Sequence, residues 1–525
     1  MVDFNSMENR QILISHQRIY GGIRSLDDIV GDSTCLELLR LLSMLSTVPA
    51  ASTAFGRWAL RYLPAVIAHR NDARDGVAYS RSGTLHCWKV LLRKTLSSDG
   101  RKSRYELLGI LHELLCKVND SPVTGDPDQM IIKAGIDYER DVVLFKLYRT
   151  QMTWLSDECL GPYVKEFEAK FGIDLECYVN VLLSIVDRCQ SVAMQDDFLV
   201  RGDCGIDLHA ASRGLGIDLD VLVRIMKLVS FSLEEGAEFS SRTKDLPDDM
   251  TLFRNAPFLR VSDTFYLPVD QKFVEELLFE NLFYRIQDAC GGGKKFRTDF
   301  GSAFEGYIQH LVGEFCNANK ERGYLHIEEF AYGRSSNLSP DAMVFCSRNN
   351  SLLWIEAKSA RYLDTVLSTE DNPEAIEKSF HKLKYAPWEQ THLAVQKILG
   401  ADAHPQITRA MSHACLVVSM IDIPLSLFDH GVAVNGTDVS HAFHSLGVGA
   451  FELLLVAADA AKEYTLVDIL GGAHRQRHRI TAKTFILRLM KSADGESSLF
   501  RRLQERAADR HGSYFRDHLD AGAGA

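Results

Sequence analysis

Two carboxylates and a lysine stand close together in one stretch of this sequence. Asp341 follows Pro340 at the head of the apolar run Ala342-Met343-Val344-Phe345-Cys346, and Glu356 and Lys358 close a second run that begins at Ser351. Between the runs lie Ser347-Arg348-Asn349-Asn350, a turn-forming quartet that predicts a β-hairpin with a four-residue loop. Pairing Cys346 with Ser351 and continuing the antiparallel register sets Asp341 opposite Glu356 on one face, with Cβ atoms roughly 5 Å apart. Lys358 points to the same side, because strand side chains alternate.

Carboxylates that face each other repel, and the pair weakens a sheet unless a cation stands between them. A divalent metal meets that need. Oxygen donors suit Mg2+ or Mn2+, and Mg2+ takes few protein ligands while keeping waters beside substrate phosphates. A lysine next to such a water orients it, assists its deprotonation and offsets charge growing on a phosphorane-like transition state. The chemistry these residue types imply is hydrolysis of a phosphodiester.

The elements that must position this set are legible around it. Phe304, Ile308, Leu311 and Phe315 form the apolar stripe of a helix expected over Phe300 to Asn317, and Glu305 lies about 100° round from Phe304, at the stripe's edge. From there it can point along the helix–sheet seam toward the carboxylate pair. A strand is expected over Leu325 to Ala331, a long helical stretch over Pro373 to Leu399 that Pro387 kinks or divides, a strand over Ala414 to Ile421, and a helix over Ala450 to Ala461. That is an α/β pattern. Residues 25–230 differ, with apolar positions at threes and fours, as in Leu36, Leu38, Leu39, Leu41, Leu42 and Leu45, and read as all-helical. The polar stretch Glu234 to Asp249 fits a boundary or exposed loop.

Taken together, Glu305, then Pro340-Asp341, then Glu356-Ala357-Lys358 resemble the signature of the PD-(D/E)XK phosphodiesterase superfamily, over residues 296–480 and not in the N-terminal half. The resemblance implies a restriction-endonuclease-like α/β fold with a mixed central sheet. It implies a metal held by Glu305, Asp341 and Glu356, with Lys358 beside the attacking water. It also implies a polar or basic residue reaching the site from the helix after the core, for which Lys384, Gln390 and Gln396 are candidates.

Composition narrows the class. With 525 residues, 46% apolar and 25% charged, the chain is expected to be a multidomain α and α/β protein. The expected division is a helical domain over 1–245, a connector over 246–299, the nuclease-like domain over 300–490, and a C-terminal helix and tail over 491–525. A net charge of −11 argues against coating nucleic acid by bulk electrostatics, so any such contact must be local. Two local basic sets stand out, Lys294, Lys295 and Arg297 after a glycine triplet, and Arg475, Arg477 and Arg479 in a run with His474 and His478. The eleven cysteines form no C-x-x-C pair, and neither a secretory leader nor a membrane span is read, which points to the cytosol. His112-Glu113-Leu114-Leu115-Cys116 misses the zinc-protease motif by its last residue, and no G-x-S-x-G or G-x-G-x-x-G occurs. The expectation is a Mg2+-dependent (or Mn2+-dependent) nuclease acting on DNA, possible as a homodimer on duplex and as a bacterial defence or restriction effector by resemblance. An RNA nuclease and a non-catalytic nucleic-acid-binding or interaction protein stand as alternatives.

Overall fold

The computed structural model describes residues 12–13, 16–21, 24–31, 33–48, 51–67, 77–97, 102–120, 141–191, 199, 202–246, 248–334, 337–360, 373–421, 433–434, 437–438, 442–493 and 495–523. In the N-terminal region the three- and four-residue spacing produces helices α1 (Leu36–Thr47), α2 (Ala51–Tyr62), α3 (Arg81–Leu92), α4 (Arg104–Asn119), α5 (Val143–Thr153) and α6 (Leu175–Ser191). Leu39, Leu42, Phe55, Trp88 and Leu108 of the first four are fully buried against one another. Burial of each such side chain contributes roughly 1.5–3 kcal/mol.

This region is mostly helical but not wholly so. A four-stranded sheet of β1 (Ile206–Asp207), β2 (Ser230–Ser232), β3 (Phe258–Ser262) and β4 (Phe265–Pro268) runs in the order β1-β4-β3-β2. The strands are two to five residues long, too short to display an alternation that periodicity can detect. The expected polar boundary at Glu234 to Asp249 is instead mostly helix α7 (Leu233–Arg242), started by a capping box between Ser232 and Glu235. The turn that follows is pinned by the buried Lys89 ammonium, which donates to the carbonyls of Thr243 (3.0 Å), Leu246 (2.6 Å) and Asp249 (3.2 Å).

The segment expected as a connector is likewise built into the interior. Leu259, Leu267 and Phe273 join the core of α1–α4, while Phe279, Leu282 and Ile286 join a second, larger core. They lie on β3, β4, α8 (Gln271–Glu276), the turn after it and α9 (Glu280–Ala289). That larger core also takes in α5 and α6, so the two cores do not divide at residue 245.

Gly291, Gly292 and Gly293, with φ of 71°, 66° and 134°, turn the chain into α10 (Lys294–Ala318), which begins earlier than the stripe from Phe300 suggested because Phe296 extends it by one turn. Five strands then form the mixed sheet: β5 (Tyr324–Glu328), β6 (Ala342–Cys346), β7 (Ser351–Lys358), β8 (Ser412–Ser419) and β9 (Phe443–Gly447), in the order β9-β8-β7-β6-β5. β5, β6 and β7 are antiparallel neighbours, whereas β7, β8 and β9 run parallel. Alternation divides the faces. Ala342, Val344, Leu353 and Ile355 pack with Phe304, Ile308 and Leu311 of α10, and Met343, Leu352 and Trp354 pack with Trp388 and Ile398 of α11 (Ala386–Gly400).

The long helical stretch is divided as Pro387 implied. Pro373–Phe380 is α-helical, His381–Tyr385 forms a π-helical turn, and α11 follows with Pro387 in its first turn, where a missing N–H is tolerated. Behind α10 lie α12 (Val448–Ala460), buried along its whole length, then α13 (Leu466–Gln476), α14 (Ala482–Ser492) and α15 (Ser498–Ala523). Among the described residues no single helix is long and apolar enough to cross a membrane.

Candidate active site

The hairpin forms in the predicted register, Cys346 with Ser351 through Ala342 with Ile355. Its loop spans residues 347–350, and Asn350 takes the left-handed conformation (φ 49°) that Asn tolerates better than most residues. Regular pairing stops one step short of Asp341, whose predecessor Pro340 has no N–H to continue a ladder. The Asp341 side chain crosses to the neighbouring strand instead, where Oδ2 accepts the backbone N–H of Ala357 at 2.6 Å. Its other oxygen has no hydrogen-bond partner among the described residues.

Glu356 is 5% exposed, and Lys358 Nζ donates to its Oε1 at 2.5 Å. Both project from the face of β7 that carries Trp354. α10 approaches from the opposite face and passes the end of the hairpin, where Gln309 Nε2 donates to the Asp341 carbonyl at 2.9 Å. Glu305, one turn earlier on that helix, joins the cluster electrostatically. The set sits at the carboxyl ends of the parallel strands β7 and β8, where ligands bind in open α/β sheets.

Four carboxyls here are displaced upward. Burial first, then the Asp341 charge, pushes Glu305 up to about 7, against the pull of Lys358. Glu356 is pushed up to about 7 by burial and then by Asp341, with Lys358 opposing. Burial raises Asp341 although the Ala357 N–H and Lys358 draw it down. Glu329, just beyond β5, is raised by burial and by Asp341. It belongs to the site's electrostatics, and no motif or spacing in the sequence singles it out. Glu329 and Gln309 also line a cleft of about 530 Å³ between α10 and β5, together with His310, Glu314, His326 and Glu328.

A metal is implied by the resemblance, and the donor set bears on it directly. Among the described residues, no three Asp, Glu, His or Cys side chains converge as a ready-made ligand group. Asp341 and Glu356 are nevertheless adjacent oxygen donors in a setting that disfavours their negative charge. Two carboxylates plus waters and phosphate oxygens suffice for Mg2+. The residues fit such an ion with Asp341 and Glu356 as its holders and Glu305 as a flanking acid.

The other candidates separate. Lys384, on the π-helical turn, is 5% exposed with its ammonium 4.7 Å from the centre of the Trp388 ring, and burial pulls its pKa down to about 7. It lies on the sheet face that also presents Glu356. Gln390 and Gln396 are on the exposed side of α11, and Gln396 Nε2 bonds His392 Nε2 at 2.8 Å, so neither shares that burial. Lys294, Lys295 and Arg297 are exposed on the first turn of α10, roughly 12–16 Å along the axis from Glu305 at 1.5 Å per residue. Arg475 and Arg479 are exposed in the last turn of α13 and just after it, and Arg477 is half-buried and donates to the His474 carbonyl at 3.0 Å. The structure does not bring these three arginines together with the carboxylates. The His112 motif is structural: His112 is fully buried, bonds Tyr20 Oη at 2.8 Å and is pushed down to about 4 by burial, while the Cys116 thiol is pushed up to about 12.

Comparison of the chain with protein-family models, with curated proteins and with solved structures finds no match.

Proposed function

We propose that this protein is a metal-dependent phosphodiesterase that hydrolyses nucleic acid, with DNA as its substrate. One arrangement carries the reading: Asp341 and Glu356 on adjacent strands, Lys358 Nζ 2.5 Å from Glu356, and Glu305 and Glu329 adding negative charge in a partly dry site. Such a cluster is poorly compensated by one lysine and is suited to a hard cation and the phosphate it brings. The fold reading that accompanies it is the PD-(D/E)XK one, supported by the mixed five-stranded sheet with α10 on one face and α11 on the other.

In this proposal Asp341 and Glu356 would hold the ion, which would supply Lewis-acid activation of water and of a phosphoryl oxygen. Lys358 supplies the fixed positive charge nearest the reacting phosphate and keeps Glu356 oriented. Gln309 steadies the Asp341 backbone, and the Ala357 N–H holds one Asp341 oxygen in place. Glu305 flanks the pair, its carboxyl raised to about 7 by burial and then by the Asp341 charge. Lys294, Lys295 and Arg297 extend the site along α10 as backbone contacts. A defence or restriction role rests on the resemblance and is proposed only with it; cytosolic action is proposed from the scattered cysteines, and a homodimer from a one-site chain cutting both strands of a duplex.

The test is cleavage of plasmid, linear duplex, single-stranded DNA and structured RNA by purified protein with Mg2+, Mn2+ or EDTA, beside Asp341→Ala and Lys358→Ala. The expected result is metal-dependent cutting that falls by about 10²–10³-fold or more in each variant. Cutting of RNA alone would reassign the substrate. Intact substrates with retained binding would favour a non-catalytic nucleic-acid-binding protein.

A further inference from the structure

We propose that the N-terminal region carries a second nucleic-acid site, remote in sequence from the carboxylate cluster: a stacking platform for single-stranded nucleic acid built on Tyr62 and Tyr105. Tyr62 closes α2 and Tyr105 opens α4. They are 53% and 52% exposed, and their rings meet edge to face with centroids 6.4 Å apart. Among the described residues this is the one pair of exposed aromatic rings in contact.

The pair is held from behind. Trp58, 8% exposed, lies 6.0 Å from Tyr62 and 6.3 Å from Tyr105, and itself stacks on the buried Phe55 at 5.6 Å. A rigid base of this kind orients the two tyrosines before any ligand arrives, which lowers the ordering cost of binding.

The rim is basic. Arg57 and Arg61 are exposed one helical turn apart on α2, flanking Trp58 and Tyr62 in sequence, and exposed Lys102 stands three residues before Tyr105. No hydrogen bond or ion pair joins Arg57, Arg61 or Lys102 to another described residue. Glu106, next to Tyr105, has its carboxylate bound to Ser103 through the backbone N–H at 2.6 Å and the hydroxyl at 2.8 Å, and it also feels the Lys102 charge. In a chain of net charge −11, three exposed cations close in sequence to exposed aromatic rings select a polyanion that also presents flat rings. Single-stranded nucleic acid has both, because its bases are unstacked and every base has a π-face, whereas a duplex hides its bases from such a surface. Bases stack on Tyr62 and Tyr105, and phosphates lie against Arg57, Arg61 and Lys102.

The experiment measures fluorescence anisotropy of a labelled oligothymidylate of about 20 nucleotides, longer than one such platform spans, with the full-length protein in EDTA. Unlabelled duplex serves as competitor. The expected result is single-strand binding that weakens by about tenfold or more in the Tyr62→Ala/Tyr105→Ala double variant and is kept within about twofold by Tyr62→Phe/Tyr105→Phe. Replacing Arg57, Arg61 and Lys102 together by Ala should lower the slope of log K against log salt by about 2, at roughly 0.7 for each phosphate no longer neutralised. Thermal midpoints are taken alongside, and the charge variant probes the same surface without altering the rings. The proposal is overturned if the wild type binds no single strand, if duplex competes equally, or if the alanine pair binds like the wild type. Because EDTA removes any metal, and Asp341→Ala should keep this binding while losing cleavage, failure of one proposal leaves the other standing.

Discussion

Two clusters of acids among the described residues differ in how many cations face them. Asp141, Glu280 and Glu452 meet Lys146, Arg149 and Lys483 where α5, α9, α12 and α14 converge. Arg149 makes a two-pronged contact with Glu452 (3.0 and 2.9 Å) and reaches Asp141 at 3.2 Å, while Lys483 and Lys146 pair with Asp141 (2.9 Å) and Glu280 (2.8 Å). Three cations match three anions, and the Tyr307 hydroxyl adds a bond to Glu452 at 2.7 Å. Burial pushes the Asp141 carboxyl up, but Lys483, Arg149 and Lys146 outweigh it and hold it far below the ordinary range, whereas burial raises the Glu452 carboxyl despite Arg149. At the candidate site Glu305, Asp341 and Glu356 share one lysine, with Glu329 beside Asp341, and burial raises all four. The first cluster is complete as it stands and ties residues distant in sequence into one core. The second is left with an excess of negative charge, as expected where a ligand is meant to supply the missing cation.

The largest effect is expected at the complete cluster. Arg149→Met leaves Glu452 and Asp141 buried beside fewer cations, and should cost about 3–5 kcal/mol in urea unfolding. A loss below about 1 kcal/mol would mean that the network does not hold these helices together.

At the incomplete cluster the expected response is to metal. Carboxyls whose folded pKa is raised stabilise the native state fully below their ordinary range near 4.5, and that contribution is lost as pH rises through about 7. A divalent ion replaces the lost protons, so Mg2+ or Mn2+ should raise the thermal midpoint at pH 8 and less at pH 6, where protons compete. At a hundredfold excess over Kd the gain is about 2.7 kcal/mol. A larger metal effect at pH 6 than at pH 8 would contradict the assignment.

Removing one acid sharpens the contrast. Without metal, Glu356→Gln should stabilise the protein at pH 8 by on the order of 1–2 kcal/mol, because a carboxylate that ionises against Asp341 is gone. It should abolish the metal-induced shift as well. Destabilisation would place Glu356 with the structural acids. The smallest effect is expected from Gln309→Ala, which removes the 2.9 Å bond to the Asp341 carbonyl. Stability should fall by about 1 kcal/mol or less, and cleavage should slow several-fold with the metal dependence retained.

Much of the site was legible because its information is local. Four loop residues between two apolar runs set the hairpin register, and the register brings Asp341 beside the strand that carries Glu356 and Lys358. The stripe of α10 likewise placed Glu305 at the helix–sheet seam. Glu329 was not legible, since its relation to Asp341 depends on how the edge strand β5 ends. Nor did the sequence separate Lys384 from Gln390 and Gln396, because which faces of the π-helical turn and of α11 are buried depends on packing against β7 and β8. The short strands β1 and β2 were hidden within a helical pattern for want of length.

Local patterning, then, determined the helices of the N-terminal region, the hairpin register of β6 and β7, and the placing of Glu356 and Lys358 on one face of β7. Helical period, strand alternation and turn chemistry act between neighbours, so they can be read without the fold. Tertiary structure alone decided that residues expected to connect two domains would fill two cores, and that Arg149 would meet Glu452 across the chain. It also decided that one group of acids would meet three cations while the other would meet one. Desolvation and pairing depend on what the rest of the chain places around a group, and sequence spacing does not carry that information.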